Sequence, residues 1–170
     1  MLKEPVIDIR SVTATQEPDG YTMLIRVYNP TDRTLHAYAS PRRIQFDAAT
    51  KTLSIAFHDQ HIAEDSLIGK HLKEPKILVI EGKTEGEIKI RFPQTIKRIR
   101  PASETGGEPG VEEIHPETAT TVSVEIAHQD TPFYYDPKTN NARQLKQWGN
   151  VIARKVLPVE GRDDKKGGKK

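Results

Sequence analysis

The chain has 170 residues, enough for one sizeable domain, and its 26 basic and 24 acidic residues give a net charge of +2. It contains no cysteine, which excludes disulfide frameworks, zinc ribbons, iron–sulfur clusters and thiol catalysis. The sequence shows neither a run of about 18 apolar residues that would span a membrane nor the apolar stretch of a signal peptide. We therefore expect a cytoplasmic protein, and no motif in it requires a cofactor.

Alternation of apolar and polar residues with a period of two dominates the chain. Residues 21–28, 87–92 and 121–126 place apolar side chains on one face and polar side chains on the other, which is typical of half-buried antiparallel strands. Weaker patterns predict further strands at residues 6–15, 35–39, 44–46, 53–57 and 77–81. The last of these is a continuous apolar run, which predicts a strand covered on both faces.

Residues that favour turns separate the predicted strands. Residues 18–20 and 29–32 contain Pro, Gly, Asn and Asp in combinations that favour turns. Residues 47–51 and 81–86 separate successive strands and predict two hairpin loops. About eight short strands with frequent turns are typical of a β-sandwich or a barrel.

Two polar segments interrupt the strand pattern. Residues 60–72 contain one possible helical turn that ends at Gly69, a residue type that commonly caps helices. Residues 101–116 are rich in Pro, Gly and Glu, and we expect them to form a mobile loop between strands.

The C-terminal region has a different period. Leu145, Trp148, Ile152 and Val156 follow a helical spacing, which predicts a short C-terminal helix. A helix to about Trp148 followed by a strand at residues 151–157 fits the same residues, and Pro158 would end either element. We therefore predict one domain over residues 1–158 and a tail over residues 159–170.

The basic excess of the chain lies in this tail. Residues 161–170 hold five basic and two acidic residues, which leaves 21 basic and 22 acidic residues, a net of −1, in residues 1–160. These ten residues include no apolar side chain, so burial cannot offset the entropy cost of ordering them, and we expect disorder. A basic tail can contact nucleic acid, although a solubilising end is the simpler interpretation.

Two stretches resemble bacterial immunoglobulin-like domains, including the intracellular proteinase-inhibitor-like type. One is residues 24–32, where a strand ends in the turn Asn-Pro-Thr-Asp, and the other is residues 114–124, where Pro116-Glu117-Thr118 leads into a late strand. Such domains usually have Pro-Gly where this chain has Pro116-Glu117. The resemblance implies an all-β, immunoglobulin-like antiparallel β-sandwich that binds a partner, and it implies no particular partner.

Aromatic residues supply the leading functional candidate. Phe133, Tyr134 and Tyr135 lie together between two prolines, and a stiff aromatic loop suits a protein interface. Trp148 is a further contact candidate, and the alternative for all four residues is to cover the end of the core. Because no catalytic motif is found, the sequence predicts a non-catalytic protein-interaction module, either a binding or an inhibitory accessory protein, with residues 60–72 assisting.

Two alternative functions depend on other side chains. His58, His61 and His71 lie within 14 residues and predict a metal-binding or metal-dependent hydrolytic loop, for which a solvated polar loop is the alternative. The second alternative is a nucleic-acid binder. Its phosphate-binding surface would combine the basic tail and Arg42 and Arg43 with five further basic residues, which are Lys89, Arg91, Lys97, Arg98 and Arg100. The simpler interpretation of these five residues is a solvated strand face.

Overall fold

The computed structural model describes residues 2–58, 76–93, 96–100, 110–114, 118–132 and 151–160. All eleven regular elements in this part of the chain are β-strands, which confirms the predicted all-β class. None of the described elements is a helix that is long and apolar enough to cross a membrane. The strands are β1 (Asp8–Glu17), β2 (Gly20–Tyr28), β3 (Leu35–Tyr38), β4 (Arg43–Asp47), β5 (Thr52–Phe57), β6 (Ile77–Ile80), β7 (Glu85–Pro93), β8 (Ile96–Arg100), β9 (Gly110–Ile114), β10 (Thr121–Gln129) and β11 (Val151–Glu160).

Nine of these strands form one sheet that curls into a half-barrel. Its hydrogen-bonded path runs β4-β5-β10-β11-β1-β2-β7, and β3 and β6 branch from β10. The branch arises because β5 pairs with β10 over Thr121–Ile126, whereas β3 pairs with the same strand further along, at His128 and Gln129. Strands β8 and β9 form a separate antiparallel pair.

The concave side of the curl holds the core. Alternate residues of β2, β7 and β10 point into it, as the period of two predicts. Tyr21 stacks on Phe92 across the paired strands β2 and β7, with ring centroids 5.3 Å apart. The buried side chains at the positions that the alternation assigned to the core are Tyr21, Met23, Ile25, Val27, Ile88, Ile90, Phe92, Val122, Val124 and Ile126.

Strand β6 is less buried than its composition predicted. Val79 is 52% exposed, and Ile80 is the one member of the strand that is fully buried. Among the described residues β6 pairs with β3 alone, so it lies at the end of a branch and only one side of it faces the core. A continuous apolar run therefore did not produce a strand covered on both faces.

Residues 81–86 do not form the predicted hairpin, whereas residues 47–51 do connect the antiparallel pair β4 and β5. Strand β6 pairs with β3 and strand β7 pairs with β2, so the 81–86 connection links two branches of the sheet. The fully buried side chain of Asn29 holds it: Nδ2 donates to Arg33 O at 2.6 Å and to Ile80 O at 2.9 Å, and Oδ1 accepts from Thr31 N at 2.9 Å. Gly82 fits against Asp32, whose carbonyl carbon would lie 2.7 Å from an added Cβ.

The C-terminal region forms a strand where the helical stripe predicted a helix. Residues Val151–Glu160 form β11, which agrees with the alternative prediction of a strand after Trp148. The helix predicted up to Trp148 lies outside the described residues. Pro158 does not end the strand, because the parallel pairing with β1 begins only after it, at Val159 with Val12 and Glu160 with Thr13. The sheet thus includes two residues assigned to the tail, and residues 161–170 lie outside the described part.

Candidate binding trough on the outer face of the sheet

The convex face of β4, β5, β10 and β11 carries a shallow depression, which we call the outer trough. The register aligns Gln45, Ser54, Ser123 and Val156 in one row across the four strands. The adjacent row is Arg43, Ala56, Glu125 and Arg154. The trough forms because β5 supplies short serine and alanine side chains as its floor, whereas β4 and β11 supply longer side chains as its walls.

The cavity in this trough has a volume of about 440 Å³. Pockets that hold small ligands commonly have volumes of about 300–1,000 Å³, so its size suits a ligand or a short peptide segment. Its polar and apolar lining residues are Arg43, Gln45, Ser54, Ile55, Ala56, His58, Ser123, Glu125, Ile152 and Arg154.

Glu125 is the fixed centre of the trough. Its Oε1 lies 2.7 Å from Nε2 of His58, and its Oε2 accepts from Nε of Arg154 at 2.7 Å. Burial raises the pKa of Glu125, but the hydrogen bonds from His58 and Arg154 and the charge of Arg154 outweigh it, and the pKa is lowered. The carboxylate is therefore ionised at neutral pH and can only accept, which requires His58 to carry its proton on Nε2.

The three side chains differ in exposure, and this difference defines what a ligand can reach. The side chain of His58 is 8% exposed, that of Glu125 is 28% exposed and that of Arg154 is 68% exposed. Arg154 uses Nε for Glu125, and its other N–H groups bond to no described residue. Arg43 is exposed on the opposite wall, and its side chain has no hydrogen-bond or ion-pair partner within the described residues. Two guanidinium groups against one carboxylate favour a ligand with an acidic oxygen.

The structure describes one of the three predicted metal-binding histidines. His58 lies in the trough with Glu125 as its partner, while His61 and His71 lie outside the described residues. Across the ranges that the structure describes, no group of three or more His, Asp or Glu side chains is placed to hold a metal ion. The metal hypothesis stays a prediction that depends on residues 59–75.

The structure divides the predicted basic surface. Lys89 and Arg91 lie on β7, where Arg91 pairs with Glu17 at 3.1 Å and with Asp19 at 3.1 Å. Arg42 and Arg43 do not join them: Arg43 begins β4, directly after Arg42, and β4 and β7 are the two ends of the sheet's path.

The other basic candidates lie on the separate β8–β9 pair. The register sets Lys97 opposite Glu113 and Arg98 opposite Glu112, and Arg100 opposite Gly110. Two of the three basic positions on β8 are therefore in register with acidic positions on β9.

The aromatic candidates Phe133, Tyr134, Tyr135 and Trp148 lie outside the described residues, but the chain that leads to the first three is well held. The buried Gln129 donates from Nε2 to Thr131 O at 2.9 Å and to Pro132 O at 3.2 Å. Arg33 pairs with Asp130 at 2.5 Å. These contacts fix the direction in which the chain leaves β10.

Sequence reasoning missed most of the trough. Glu125, Arg154 and Ser54 occupy polar positions of alternating strands, which are indistinguishable from an ordinary solvated face without the strand order. The one available signal was the run of small outward residues, Ser54 and Ala56, on a strand predicted to be half buried. Comparison with known proteins finds no family model, no curated protein and no solved structure that matches this chain.

Proposed function

We propose that this protein is a non-catalytic binding module whose ligand occupies the outer trough. The observation that carries the proposal is Glu125, fixed between His58 and Arg154 on the floor of a cavity of about 440 Å³. A prearranged polar group in a pocket reduces the cost of ordering on binding. The outward N–H groups of Arg154, with Arg43 opposite, would hold an acidic oxygen of the ligand.

The arrangement of the trough favours binding over catalysis. A serine nucleophile requires a hydrogen bond to a base, and neither Ser54 nor Ser123 bonds to His58. Both oxygens of Glu125 already accept hydrogen bonds from cations or donors, so this carboxylate is a poor general base.

The aromatic loop is the second contact in this proposal. Phe133, Tyr134 and Tyr135 would bind a protein partner, and the anchored residues Gln129 and Asp130 support it because they would present the loop from a rigid base. A partner that binds both sites would be held more tightly than either site alone allows.

The immunoglobulin-like sandwich and the cytoplasmic location belong to the same proposal. The all-β content is compatible with the first, and the Asn-Pro-Thr-Asp turn at residues 29–32 is the sequence feature that suggested it. An experimental structure of the whole chain tests it: two facing sheets would support the sandwich, and a single closed curl would reject it.

Capture of a ligand with matched variants tests the proposed function. Ser54→Leu fills the trough floor, and Ser11→Leu makes the same change on β1, outside the trough. We expect a species retained by the wild type and by Ser11→Leu to be lost with Ser54→Leu. Alanine at Phe133, Tyr134 and Tyr135 tests the loop separately. Equal retention by all variants would reject both contact sites.

A further inference from the structure

Within the part of the chain that the structure describes, strand β4 is an edge of the sheet. It ends the hydrogen-bonded path, and among the described residues it pairs with β5 alone, over Arg43–Asp47. An edge strand presents a row of backbone N–H and C=O groups that another strand can pair with. No proline occurs within β4, so its backbone can accept such a strand along its whole length.

The five residues of β4 are complementary to themselves in reverse order. The strand reads Arg43, Ile44, Gln45, Phe46, Asp47, which is cation, apolar, amide, apolar, anion. An antiparallel pair centred on Gln45 would set Arg43 opposite Asp47 and Ile44 opposite Phe46. Opposite charges and apolar pairs directly across an antiparallel ladder are both favourable.

The side chains needed for this pairing are available. Within the described residues neither Arg43 nor Asp47 has an ion-pair partner, and both are exposed. One oxygen of Asp47 accepts from Ala49 N at 3.0 Å, which leaves the second for a cation. Ile44 and Phe46 pack on the core but are only partly buried, so a neighbouring strand would cover their remaining apolar surface.

We propose that the protein forms a two-fold symmetric dimer in which β4 pairs antiparallel with β4 of a second copy. The two-fold axis passes through Gln45, as an isologous interface requires. Two alternatives are disfavoured: a parallel pair sets Arg43 against Arg43, and a one-residue slip turns the apolar residues to the wrong face. The interface is small, so the dimer is weak and its population rises with protein concentration.

Dimerisation would also join the two outer troughs. Antiparallel pairing about an axis perpendicular to the sheet keeps the same face of both copies on one side. The troughs then form one continuous surface across the two copies of β4. Arg43 still serves a ligand there, because a guanidinium has five N–H donors and one carboxylate takes at most two.

Charge exchange at the edge tests the dimer, with sedimentation equilibrium over a concentration series as the readout. Arg43→Asp sets aspartate against Asp47, and Asp47→Arg sets arginine against Arg43, so each variant should raise the dimer Kd by about tenfold or more. The double variant with both changes restores opposite charges and should restore the dimer. A mixture of the two single variants should form a heterodimer, although each alone is monomeric.

Two results would overturn the proposal. The first is a wild-type chain that stays monomeric at every concentration, and the second is a dimer whose Kd is unchanged in Arg43→Asp and Asp47→Arg. Asp47→Asn is the control for the turn, because it keeps the acceptor for Ala49 and removes only the charge; it should weaken the dimer without unfolding the chain. The trough is intact in Asp47→Asn, so a failed dimer leaves the proposed ligand site standing.

Discussion

Nε2 of His58 lies 2.7 Å from Oε1 of Glu125, and this contact ties the end of β5 to the middle of β10 on the outer face of the sheet. His58 is almost fully buried, so its Nε2 proton is removed from water and is donated to Glu125. The second oxygen of Glu125 reaches Arg154 on β11. One carboxylate therefore holds together the three strands that form most of the trough floor and one wall.

Replacing Glu125 by glutamine should lower the free energy of unfolding by about 1–2 kcal/mol. Glutamine keeps one oxygen acceptor, but its NH₂ group then faces either the donor of His58 or that of Arg154. Glu87→Gln is the matched control, since its ion pair with Arg26 at 3.3 Å is half exposed and should contribute less than about 0.5 kcal/mol. Urea unfolding of both variants measures the difference, and equal losses would contradict the role assigned to Glu125.

Acidification should destabilise the protein through His128. The buried ring accepts from Val6 N at 3.1 Å and Ile7 N at 3.3 Å through Nε2, and Nδ1 donates to Ile126 O at 3.1 Å. Burial lowers the pKa of His128 below its ordinary value of 6.5, and the bond to Ile126 only partly opposes this. The unfolded chain therefore binds a proton first, and stability falls as the pH drops below about 6.5.

One such histidine changes the free energy of unfolding by at most about 1.4 kcal/mol per pH unit. His36, whose pKa burial also lowers against the opposing charge of Asp130, adds to it in the same direction. Thermal unfolding between neutral pH and pH 5 measures the slope. His128→Gln keeps an acceptor without titrating, so its slope should be smaller; a slope equal to that of the wild type would show that His128 is not responsible.

The lowered pKa of Glu125 predicts a separate loss of folding stability at lower pH. Its ionised form is favoured in the folded chain, so its contribution is present above its ordinary value of 4.5 and disappears as the pH falls through the folded value. The Glu125→Gln variant lacks this titration. Below pH 4.5 its stability should change less than that of the wild type, and parallel curves in urea titrations would contradict the assignment.

Asn29→Ala should lower the free energy of unfolding by about 3 kcal/mol or more, because it removes the side-chain donor to the buried carbonyl of Ile80 and the acceptor for the amide of Thr31. Thr31→Val is the comparison, since it removes only a hydroxyl on the outside of the same turn and should cost about 1 kcal/mol. Urea midpoints of the two variants rank the effects. A similar small loss in both would mean that Asn29 does not hold the turn.

Gly82→Ala should destabilise the same junction by about 1–3 kcal/mol, since its Cβ would lie 2.7 Å from the backbone of Asp32 and backbone atoms would have to shift. Gly86→Ala is the control, because its nearest neighbour is the flexible end of the Leu78 side chain at 3.1 Å. Thermal unfolding compares them, and a larger loss in Gly86→Ala would contradict this packing argument.

Local pattern predicted most strands of the main sheet and predicted their neighbours poorly. It missed β8, and it assigned residues 110–114, which form β9, to a loop over residues 101–116. The period of two identified which side of β2 faces the core, since that property depends only on consecutive residues. Residues 81–86 looked like a hairpin because sequence proximity suggests pairing, yet Asn29, more than fifty residues earlier, directs this segment. The helical stripe through Ile152 and Val156 failed because β11 is fixed by β10 and β1 on its two sides, and tertiary pairing overrode the local period.

The trough depends on how neighbouring strands are aligned, and the sequence of one strand does not determine that register. Ser54, Ser123 and Glu125 become a site only when β5 lies parallel to β10, with Ser54 beside Ser123. Titration calorimetry of the captured ligand with Ser54→Leu tests whether this surface holds a ligand. We expect Ser54→Leu to bind at least about tenfold more weakly than the wild type and Ser11→Leu. Equal affinity for all three proteins would contradict this expectation.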